Sequence, residues 1–275
     1  MNKYVKIYNE NSDFQTIETL HRNRVKRNRS GEFFVEGVRA ITQAVENNWE
    51  ITSLVYSREK RLSEWAESIL QKSNAKKYFE IPLHLMDKLS DKEDASEVIA
   101  IVRIPDDHLS RIQLRENPLV VVVDRPSNPG NLGTMIRSCD ALGADGLIVS
   151  GHATDLYDPE TIRATTGSFF CVPSVRVPSH GEIIVWVKEL KKKYPTLKVV
   201  GTSAKAKFSI QENDFTLPTV ILIGNETNGL SDAYQSFADV LITIPMVGYA
   251  SSLNISNATS IVLYEAARQR RIKSP

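Results

Sequence analysis

Residues 119–133 read LVVVVDRPSNPGNLG, an unbroken aliphatic run followed by a turn rich in proline, glycine and asparagine. The run at residues 119–123 would place apolar side chains on both faces of a strand, which is typical of a central parallel strand. Gly130 and Gly133 allow a tight turn, and the helix predicted next carries Arg137. We expect a ligand site at this turn, because open parallel α/β sheets bind ligands at the carboxyl ends of their strands.

Strand-like and helical patterns alternate through the rest of the second half of the chain. Strands are predicted at residues 146–149, 172–177, 197–200, 220–223 and 240–244. The last helix is predicted from the spacing of Ile255, Ala258, Val262 and Ala266. This alternation predicts the α/β fold class, with a mostly parallel sheet that carries helices on both faces.

The first hundred residues predict a second, smaller α/β unit. A helix capped by Ser12 is expected to end near Gly31, and strands are expected at residues 32–36, 51–56, 78–81 and 97–104. Two further helices are predicted from apolar residues that would share one face: Val38, Ile41 and Val45, and then Leu62, Trp65 and Ile69. A polar segment bounded by prolines follows. We therefore predict domains at residues 1–105 and 118–275, joined by a linker at residues 106–117.

The bulk composition, with 41% hydrophobic and 24% charged residues, is that of a soluble globular protein. No stretch is apolar enough for a signal peptide or a membrane span, so we expect a cytoplasmic protein without a membrane partner. Cys139 and Cys171 lack CxxC spacing and the five histidines are scattered. Neither a disulfide framework nor a metal site is expected, and both cysteines are interpreted as packing residues.

A basic segment indicates a nucleic-acid partner more clearly than the net charge of +1 does. Residues 21–29 read HRNRVKRNR and contain five cations and no acid: Arg22, Arg24, Lys26, Arg27 and Arg29. Such a segment can neutralise RNA phosphates and release counterions. A solvated basic helix end is an equally good interpretation of these residues alone.

Two more polar loops follow predicted strands. Residues 223–231 read IGNETNGLS, in which two glycines bracket a loop with one acid, Glu226. Residues 244–256 read IPMVGYASSLNIS, in which Ser252, Asn254 and Ser256 cluster at the start of the last helix. Neither loop matches the Walker A or GxGxxG pattern. Taken singly, each is explained by an ordinary turn or by helix capping.

Taken together and in order, NPGNLGTMIRS (residues 128–138), IGNETNGLS and IPMVGYASSLNIS resemble the motifs of the SpoU/TrmH family of RNA ribose 2′-O-methyltransferases. The resemblance covers about residues 119 to 270. GEFFVEGVRAITQAV (residues 31–45) resembles, more loosely, the ribosomal-protein-like substrate-binding domain of many relatives. The resemblance implies a deep trefoil knot in the C-terminal domain and a homodimer with active sites at its interface. It also implies S-adenosylmethionine as methyl donor, no metal, and an RNA substrate that is ribosomal rather than transfer RNA.

The resemblance also assigns residues to roles. It implies polar catalytic positions at Asn131, Arg137, Glu226, Ser252 and Asn254, and a donor pocket at Thr202, Gly224, Ile244, Met246 and Leu253. Asn131 and Arg137 would face one cleft if Asn131 caps its helix. Two roles stay open for Arg137, because arginine normally stays protonated: a general base, or a group that orients the hydroxyl and binds phosphate. Glu226 is expected to hold the loop or a ribose.

Two alternatives come from other classes of protein. A noncatalytic RNA-binding protein would use the same fold without binding the methyl donor. A nicotinamide-dependent enzyme on a doubly wound sheet is disfavoured, because GxGxxG and the acid expected about 20 residues later are missing.

Overall fold

The computed structural model describes residues 3–90 and 95–272. The chain forms two compact units: unit 1 is Met1–Asp106 with Tyr157–Cys171, and unit 2 is Asp107–Leu156 with Val172–Pro275. The crossing between Asp106 and Asp107 falls in the segment interpreted as a linker. Residues 157–171 pack with unit 1, whereas the sequence analysis placed them in the C-terminal domain.

The chain alternates strands and helices throughout the described residues. The strands are β1 (Lys3–Lys6), β2 (Glu32–Glu36), β3 (Ile51–Tyr56), β4 (Lys77–Glu80), β5 (Val98–Arg103), β6 (Leu119–Asp124), β7 (Gly146–Ser150), β8 (Ser174–Val177), β9 (Lys198–Thr202), β10 (Phe208–Ser209), β11 (Thr219–Ile223) and β12 (Val240–Thr243). The helices are α1 (Ser12–Arg22), α2 (Arg24–Ser30), α3 (Val38–Glu46), α4 (Glu64–Lys72), α5 (Leu83–Leu89), α6 (Pro129–Leu142), α7 (Pro159–Ala164), α8 (His180–Lys193), α9 (Asp232–Phe237) and α10 (Ile255–Ile272).

Unit 1 is built on a five-stranded sheet in the order β1-β4-β3-β5-β2. The four strands predicted here are confirmed, and the edge strand β1 was not predicted. The single helix predicted up to Gly31 is wrong: it is two helices, because Asn23 adopts an extended backbone and its side chain accepts a hydrogen bond from the backbone N–H of Lys26. Asn11, not Ser12, caps α1 through a hydrogen bond from the backbone N–H of Phe14.

The buried face of α3 also differs from the prediction. Ala40, Ile41 and Ala44 are buried, whereas the side chain of Val38 is 55% exposed. Leu62 precedes α4. Both differences arise because small alanines form part of the buried helix faces, and the sequence analysis considered only large apolar residues.

Aromatic side chains explain why residues 157–171 belong to unit 1. The ring of Phe33, on β2, lies 5.0 Å from that of Tyr157 and 5.8 Å from that of Phe169. The indole N–H of Trp49 donates to the carbonyl oxygen of Phe170 at 3.1 Å. Aromatic pairs of this kind prefer tilted and edge-to-face geometry, which the rings show. The segment thus completes the core of unit 1.

Unit 2 is built on a seven-stranded sheet in the order β10-β12-β9-β11-β6-β7-β8, and all its pairings are parallel. This confirms the predicted α/β class with a mostly parallel sheet. All residues of β6 are buried, as expected of a central strand. Side chains of α8 and α9 pack on the face that carries Val120 and Val122, and α6 packs against α10.

Candidate functional site

The site lies at the carboxyl edge of the sheet of unit 2. Strands β6 and β11 pair in parallel with Val123 opposite Ile223, so the loops that follow them begin side by side. Strand β12 pairs with β9, the other neighbour of β11, so its loop begins at the same edge. The three motif loops of the sequence are therefore brought to one edge of one sheet.

The carboxylate of Glu226 joins the first two loops. It accepts hydrogen bonds from the backbone N–H of Ser127 at 3.2 Å, from the Ser127 hydroxyl at 2.9 Å and from the backbone N–H of Asn128 at 3.3 Å. The side-chain amide of Asn131 donates to it at 3.4 Å. Every one of these donors belongs to the loop after β6 or to the first turn of α6. Glu226 therefore holds the start of α6 against the loop after β11.

Asn131 extends this network to the third loop. Its side-chain oxygen accepts a hydrogen bond from the side-chain amide of Asn254 at 3.1 Å. The oxygen of Asn254 in turn accepts from the backbone N–H and the hydroxyl of Ser256, at 2.8 and 2.7 Å. Three of the five predicted catalytic residues, Glu226, Asn131 and Asn254, therefore form one continuous hydrogen-bonded chain.

The same hydrogen bonds set the ionisation of Glu226. Partial burial by itself would raise the pKa of the Glu226 carboxyl. Hydrogen bonds from its own backbone N–H, from Ser127 and from Asn131 outweigh the burial and leave the pKa below its usual range. A carboxylate held ionised by donors on three groups is suited to fixing loops and is a weak base.

Asn225 supports the loop that carries Glu226, a role the sequence analysis did not assign. Its side-chain oxygen accepts from the backbone N–H groups of Thr227 and Asn228, at 2.9 and 3.1 Å. Its amide donates to the carbonyl oxygen of Arg125 at 2.7 Å. The signal in the sequence was its type, since asparagine side chains often bond to backbone N–H groups two residues further on.

Arg125 and Asp124 anchor the other side of this junction. Arg125 has a positive φ of 52°, an uncommon conformation for a residue with a side chain. Its guanidinium forms two hydrogen bonds with the buried carboxylate of Asp124, at 3.0 and 3.1 Å. The same carboxylate accepts from the backbone N–H of Ser231 at 2.8 Å. The loops after β6 and β11 are therefore tied together at both ends.

Gly224 is required by close backbone approach. A Cβ at this position would lie 2.3 Å from the carbonyl carbon of Gly229 and 2.4 Å from the backbone nitrogen of Leu230. The loop closes here through paired backbone hydrogen bonds between Asn225 and Gly229, at 2.9 and 3.0 Å. The predicted donor-pocket position thus has a definite steric reason to be glycine.

Arg137 and Ser252 lie outside the hydrogen-bonded chain. Both are exposed, and within residues 3–90 and 95–272 the guanidinium of Arg137 forms no hydrogen bond or ion pair. The expectation that Asn131 caps α6 is wrong, since Asn128 is the cap and accepts from the backbone N–H of Asn131 at 2.8 Å. Asn131 and Arg137 therefore both lie inside the helix, and six residues separate them by roughly 120° around its axis.

The predicted donor-pocket residues lie at the ends of β9, β11 and β12. Thr202 ends β9, and its hydroxyl donates to the carbonyl oxygen of Leu222 at 3.2 Å. Ile244 is half-buried, and the side chains of Met246 and Leu253 are each 37% exposed. In the part of the chain that the structure describes, the backbone N–H groups of residues 246–253 donate no hydrogen bond. Accessible apolar side chains beside free backbone donors fit an adenosine and a methionine chain.

The predicted RNA-binding cations of unit 1 fall into two groups. Arg22, Arg24, Lys26 and Arg29 are exposed, and Arg22 lies 3.5 Å from the carboxylate of Glu18. Arg27 is different, because only 2% of its side chain is exposed. It donates to the carbonyl oxygens of Leu20 and His21 and to the carboxylate of Asp158. Its assignment to RNA is wrong on the ground of burial: the guanidinium is used inside unit 1.

The remaining polar groups of the described residues add no second centre. Among residues 3–90 and 95–272, no group of three or more His, Cys, Asp or Glu side chains is arranged to hold a metal ion, and no helix is long and apolar enough to cross a membrane. Cys139 is buried as expected, and burial raises the pKa of its thiol. The expectation for Cys171 is wrong, since it is exposed and follows a turn instead of opening a strand.

Comparison with known proteins identifies the same two parts of the chain. The model of the SpoU rRNA Methylase family matches residues 118–264, and that of the SpoU L30e-like domain matches residues 11–100. The chain is 47% identical over 265 residues to the 23S rRNA (uridine(2479)-2′-O)-methyltransferase of Streptomyces viridochromogenes, covering 96% of this chain and 92% of the relative. It is 26% identical over 257 residues to the 23S rRNA (guanosine(2553)-2′-O)-methyltransferase RlmP of Bacillus subtilis, covering 93% and 96%.

Solved structures agree in fold over almost the whole chain. The SpoU methyltransferase AviRb from Streptomyces viridochromogenes in complex with the cofactor AdoMet superimposes with a TM-score of 0.88 at 47% identity, covering 96% of this chain and 100% of that one. An AdoMet-bound rRNA methyltransferase from Sinorhizobium meliloti gives 0.85 at 30% identity, covering 99% of both. With the motif loops joined at one sheet edge, these matches show that the chain belongs to the SpoU rRNA methylase family.

Proposed function

We propose that this protein transfers the methyl group of S-adenosylmethionine to the 2′-hydroxyl of a uridine ribose in 23S rRNA. The observation that carries the proposal is the chain of hydrogen bonds from Glu226 through Asn131 to Asn254, which joins the three motif loops at one sheet edge. The choice of uridine rests on the relative from Streptomyces viridochromogenes, whose name specifies a uridine of 23S rRNA.

Positioning is the main task of the residues that build the site. S-Adenosylmethionine, when bound, supplies a methyl group already activated on a sulfonium. The half-buried Ile244 and the accessible side chains of Met246 and Leu253 would hold its apolar parts, and the free backbone donors of residues 246–253 would hold its polar atoms. In-line displacement depends on alignment, and an alignment fixed by the protein can supply much of the rate.

Arg137 is the group left to meet the acceptor. Its guanidinium is exposed and has no partner in the described residues, whereas the other polar residues of the network are already hydrogen-bonded to the protein. A guanidinium binds phosphate oxygens through paired N–H groups. We assign Arg137 to the phosphate next to the target ribose and to orienting the 2′-hydroxyl, and Ser252 to a second hydrogen bond to the same nucleotide.

Unit 1 is assigned to RNA capture. Its exposed cations Arg22, Arg24, Lys26 and Arg29 follow one another along α1 and α2, where they would contact phosphates and contribute affinity without reading the sequence. Charge reversal of Arg24 and Lys26 is expected to weaken RNA binding and to flatten its dependence on salt. An unchanged salt slope would exclude these residues from the RNA interface.

The homodimer and the trefoil knot belong to the same proposal. Apolar side chains are exposed on α10, at Ile261 and Tyr264, and on the loop before it, at Val247 and Tyr249. A second copy covering these residues would bury the loop that carries Met246 and Ser252. Sedimentation equilibrium tests the dimer, and Tyr264→Glu is expected to yield monomers without methyl transfer.

The function is tested by incubating the protein with labelled S-adenosylmethionine and unmodified RNA, separated into ribosomal and transfer fractions and digested to nucleosides. Labelled 2′-O-methyluridine from 23S rRNA is the expected product. Label in transfer RNA, or in another nucleoside, would contradict the proposed substrate. Absence of both methyl transfer and donor binding would instead indicate a noncatalytic RNA-binding protein.

Arg137→Ala separates chemistry from donor binding. We expect turnover to be abolished while the affinity for S-adenosylmethionine, measured by calorimetry, is preserved. Lys188→Ala is the matched control, since Lys188 is an exposed cation of α8 and lies outside the motif loops. Undiminished single-turnover methylation by Arg137→Ala would refute the role given to this residue.

A further inference from the structure

The edge strand of unit 1 carries exposed tyrosines that the proposed function does not use. Along residues 4–8, Tyr4, Lys6 and Tyr8 are exposed, whereas Val5 is half-buried and Ile7 is buried in the core. Alternate residues of an extended chain point to the same side and are about 6.6 Å apart. Two tyrosines therefore flank one lysine on a single face; we call Tyr4, Lys6 and Tyr8 the β1 platform.

The ring of Tyr4 is held in place and still accessible. It stacks on Tyr78 of the neighbouring strand β4, with 4.9 Å between ring centroids and 19° between ring planes. Tyr78 is buried, and its hydroxyl donates to the carbonyl oxygen of Ser73 at 2.6 Å. The side chain of Tyr4 is nevertheless 71% exposed and that of Tyr8 is 74% exposed. One face of Tyr4 thus rests on a rigid partner while its other surface meets solvent.

The charge around the platform is positive. Lys3 and Lys77 lie opposite each other in the β1–β4 pairing, and within residues 3–90 and 95–272 neither forms an ion pair. Lys6 pairs with Glu80 at 3.0 Å and keeps 60% of its side chain exposed. Lysines alone would be explained by protection of a sheet edge against pairing with other chains. That explanation does not account for two exposed tyrosines, which add apolar surface to the same edge.

We infer that the β1 platform binds unpaired nucleotides of the RNA substrate, with bases stacking on Tyr4 and Tyr8 and phosphates beside Lys3, Lys6 and Lys77. Aromatic rings on a solvent-facing sheet, flanked by cations, are how several single-strand RNA-binding domains hold bases. The inference rests on the proposed function for the identity of the partner as RNA. It adds a site separate in sequence from the basic residues of α1 and α2.

The experiment measures binding of a fluorescent oligouridylate and of the unmodified 23S rRNA transcript to the full chain. Tyr4→Ala with Tyr8→Ala is expected to weaken oligouridylate binding roughly tenfold for each ring lost. Tyr4→Phe with Tyr8→Phe is the matched control and is expected to bind like the unaltered protein, because it keeps both rings. Tyr8→Ala alone maintains the test if loss of Tyr4 from its contact with Tyr78 disturbs β1.

Three results would overturn the inference: unchanged affinity of the alanine variant, an equal loss in the phenylalanine variant, or an equal loss on a blunt RNA duplex, whose bases are not free to stack. In methyl transfer, the alanine variant is expected to raise the KM for RNA with kcat unchanged. If the unaltered protein methylates no RNA, the proposed function fails, whereas the binding comparison still decides the role of the platform.

Discussion

Replacing Arg27 by alanine should destabilise unit 1, although the residue lies in a run of cations that resembles an RNA-binding segment. The guanidinium donates to the carbonyl oxygens of Leu20 and His21 at 2.9 Å each, and lies 3.2 Å from the carboxylate of Asp158. Asp158 caps α7 through a hydrogen bond from the backbone N–H of Glu160 at 3.0 Å. Arg27 therefore links the end of α1 to the segment at residues 157–171.

The magnitude follows from what the substitution leaves behind. Two carbonyl groups of buried residues lose a charged donor, at about 1–3 kcal/mol each. The side chain of Asp158 is 35% exposed, so solvent screens its lost partner and this contribution stays below about 1 kcal/mol. The buried methylene stem of Arg27 is lost as well. We expect Arg27→Ala to lower the free energy of unfolding by about 3–5 kcal/mol, the range found when one partner of a buried ion pair is removed.

Urea unfolding followed by tryptophan fluorescence measures this change, because Trp49 contacts Phe169 and Phe170 of the same segment. Arg29→Ala is the matched control: Arg29 is exposed and should change the free energy of unfolding by less than about 0.5 kcal/mol. If Arg27→Ala unfolds with the same midpoint and slope as Arg29→Ala, the structural role given to Arg27 is wrong. Weaker RNA binding with unaltered stability would restore its assignment to RNA.

Three further outcomes are expected. In the native protein Cys171 should react with a thiol reagent and Cys139 only after unfolding, because one is exposed and the other buried with a raised thiol pKa; equal rates would contradict this. Gly224→Ala would place a Cβ against the backbone of Gly229, and single-turnover methyl transfer should fall roughly 100-fold; full activity would refute the steric argument. The lowered pKa of Glu226 means that its stabilising contribution is present above the unfolded value of about 4.3 and is lost as the pH falls through the lower folded pKa. The difference in unfolding free energy between the unaltered protein and Glu226→Gln should therefore shrink on acidification, and a difference independent of pH would contradict the assignment.

Strand periodicity predicted the sheets well because it reports burial on both faces of β6 and its neighbours. The same reasoning identified the loops at the carboxyl edge, and the structure brings Glu226, Asn131 and Asn254 into contact. Periodicity could not predict β1, whose exposed Tyr4 and Lys6 give little hydrophobic signal beyond the partly buried Val5. Nor could it predict which asparagine caps α6, since asparagines occur at both residues 128 and 131 and the choice depends on the backbone of the preceding turn.

Long-range packing accounts for the two largest errors. The place of residues 157–171 in unit 1 depends on aromatic contacts with Phe33 and Trp49, more than a hundred positions earlier in the chain, and no local pattern reports such a pairing. Arg27 is buried for the same reason, because its carboxylate partner Asp158 lies in that segment. A run of cations predicts a charged surface only when no distant acid or carbonyl group accepts one of its members.

Residues of one chemical type thus serve opposite purposes, depending on what the fold leaves unsatisfied. Asn225, Glu226 and Asn131 spend their hydrogen-bonding capacity on the protein itself, so changing them should disturb the arrangement of the loops before it disturbs any step of the reaction. Arg137 has no such engagement in the described residues and projects from the same helix into solvent. The group free of internal partners is the one available to the RNA. The hydrogen-bonded chain is the means by which three distant segments of sequence present it at a fixed place.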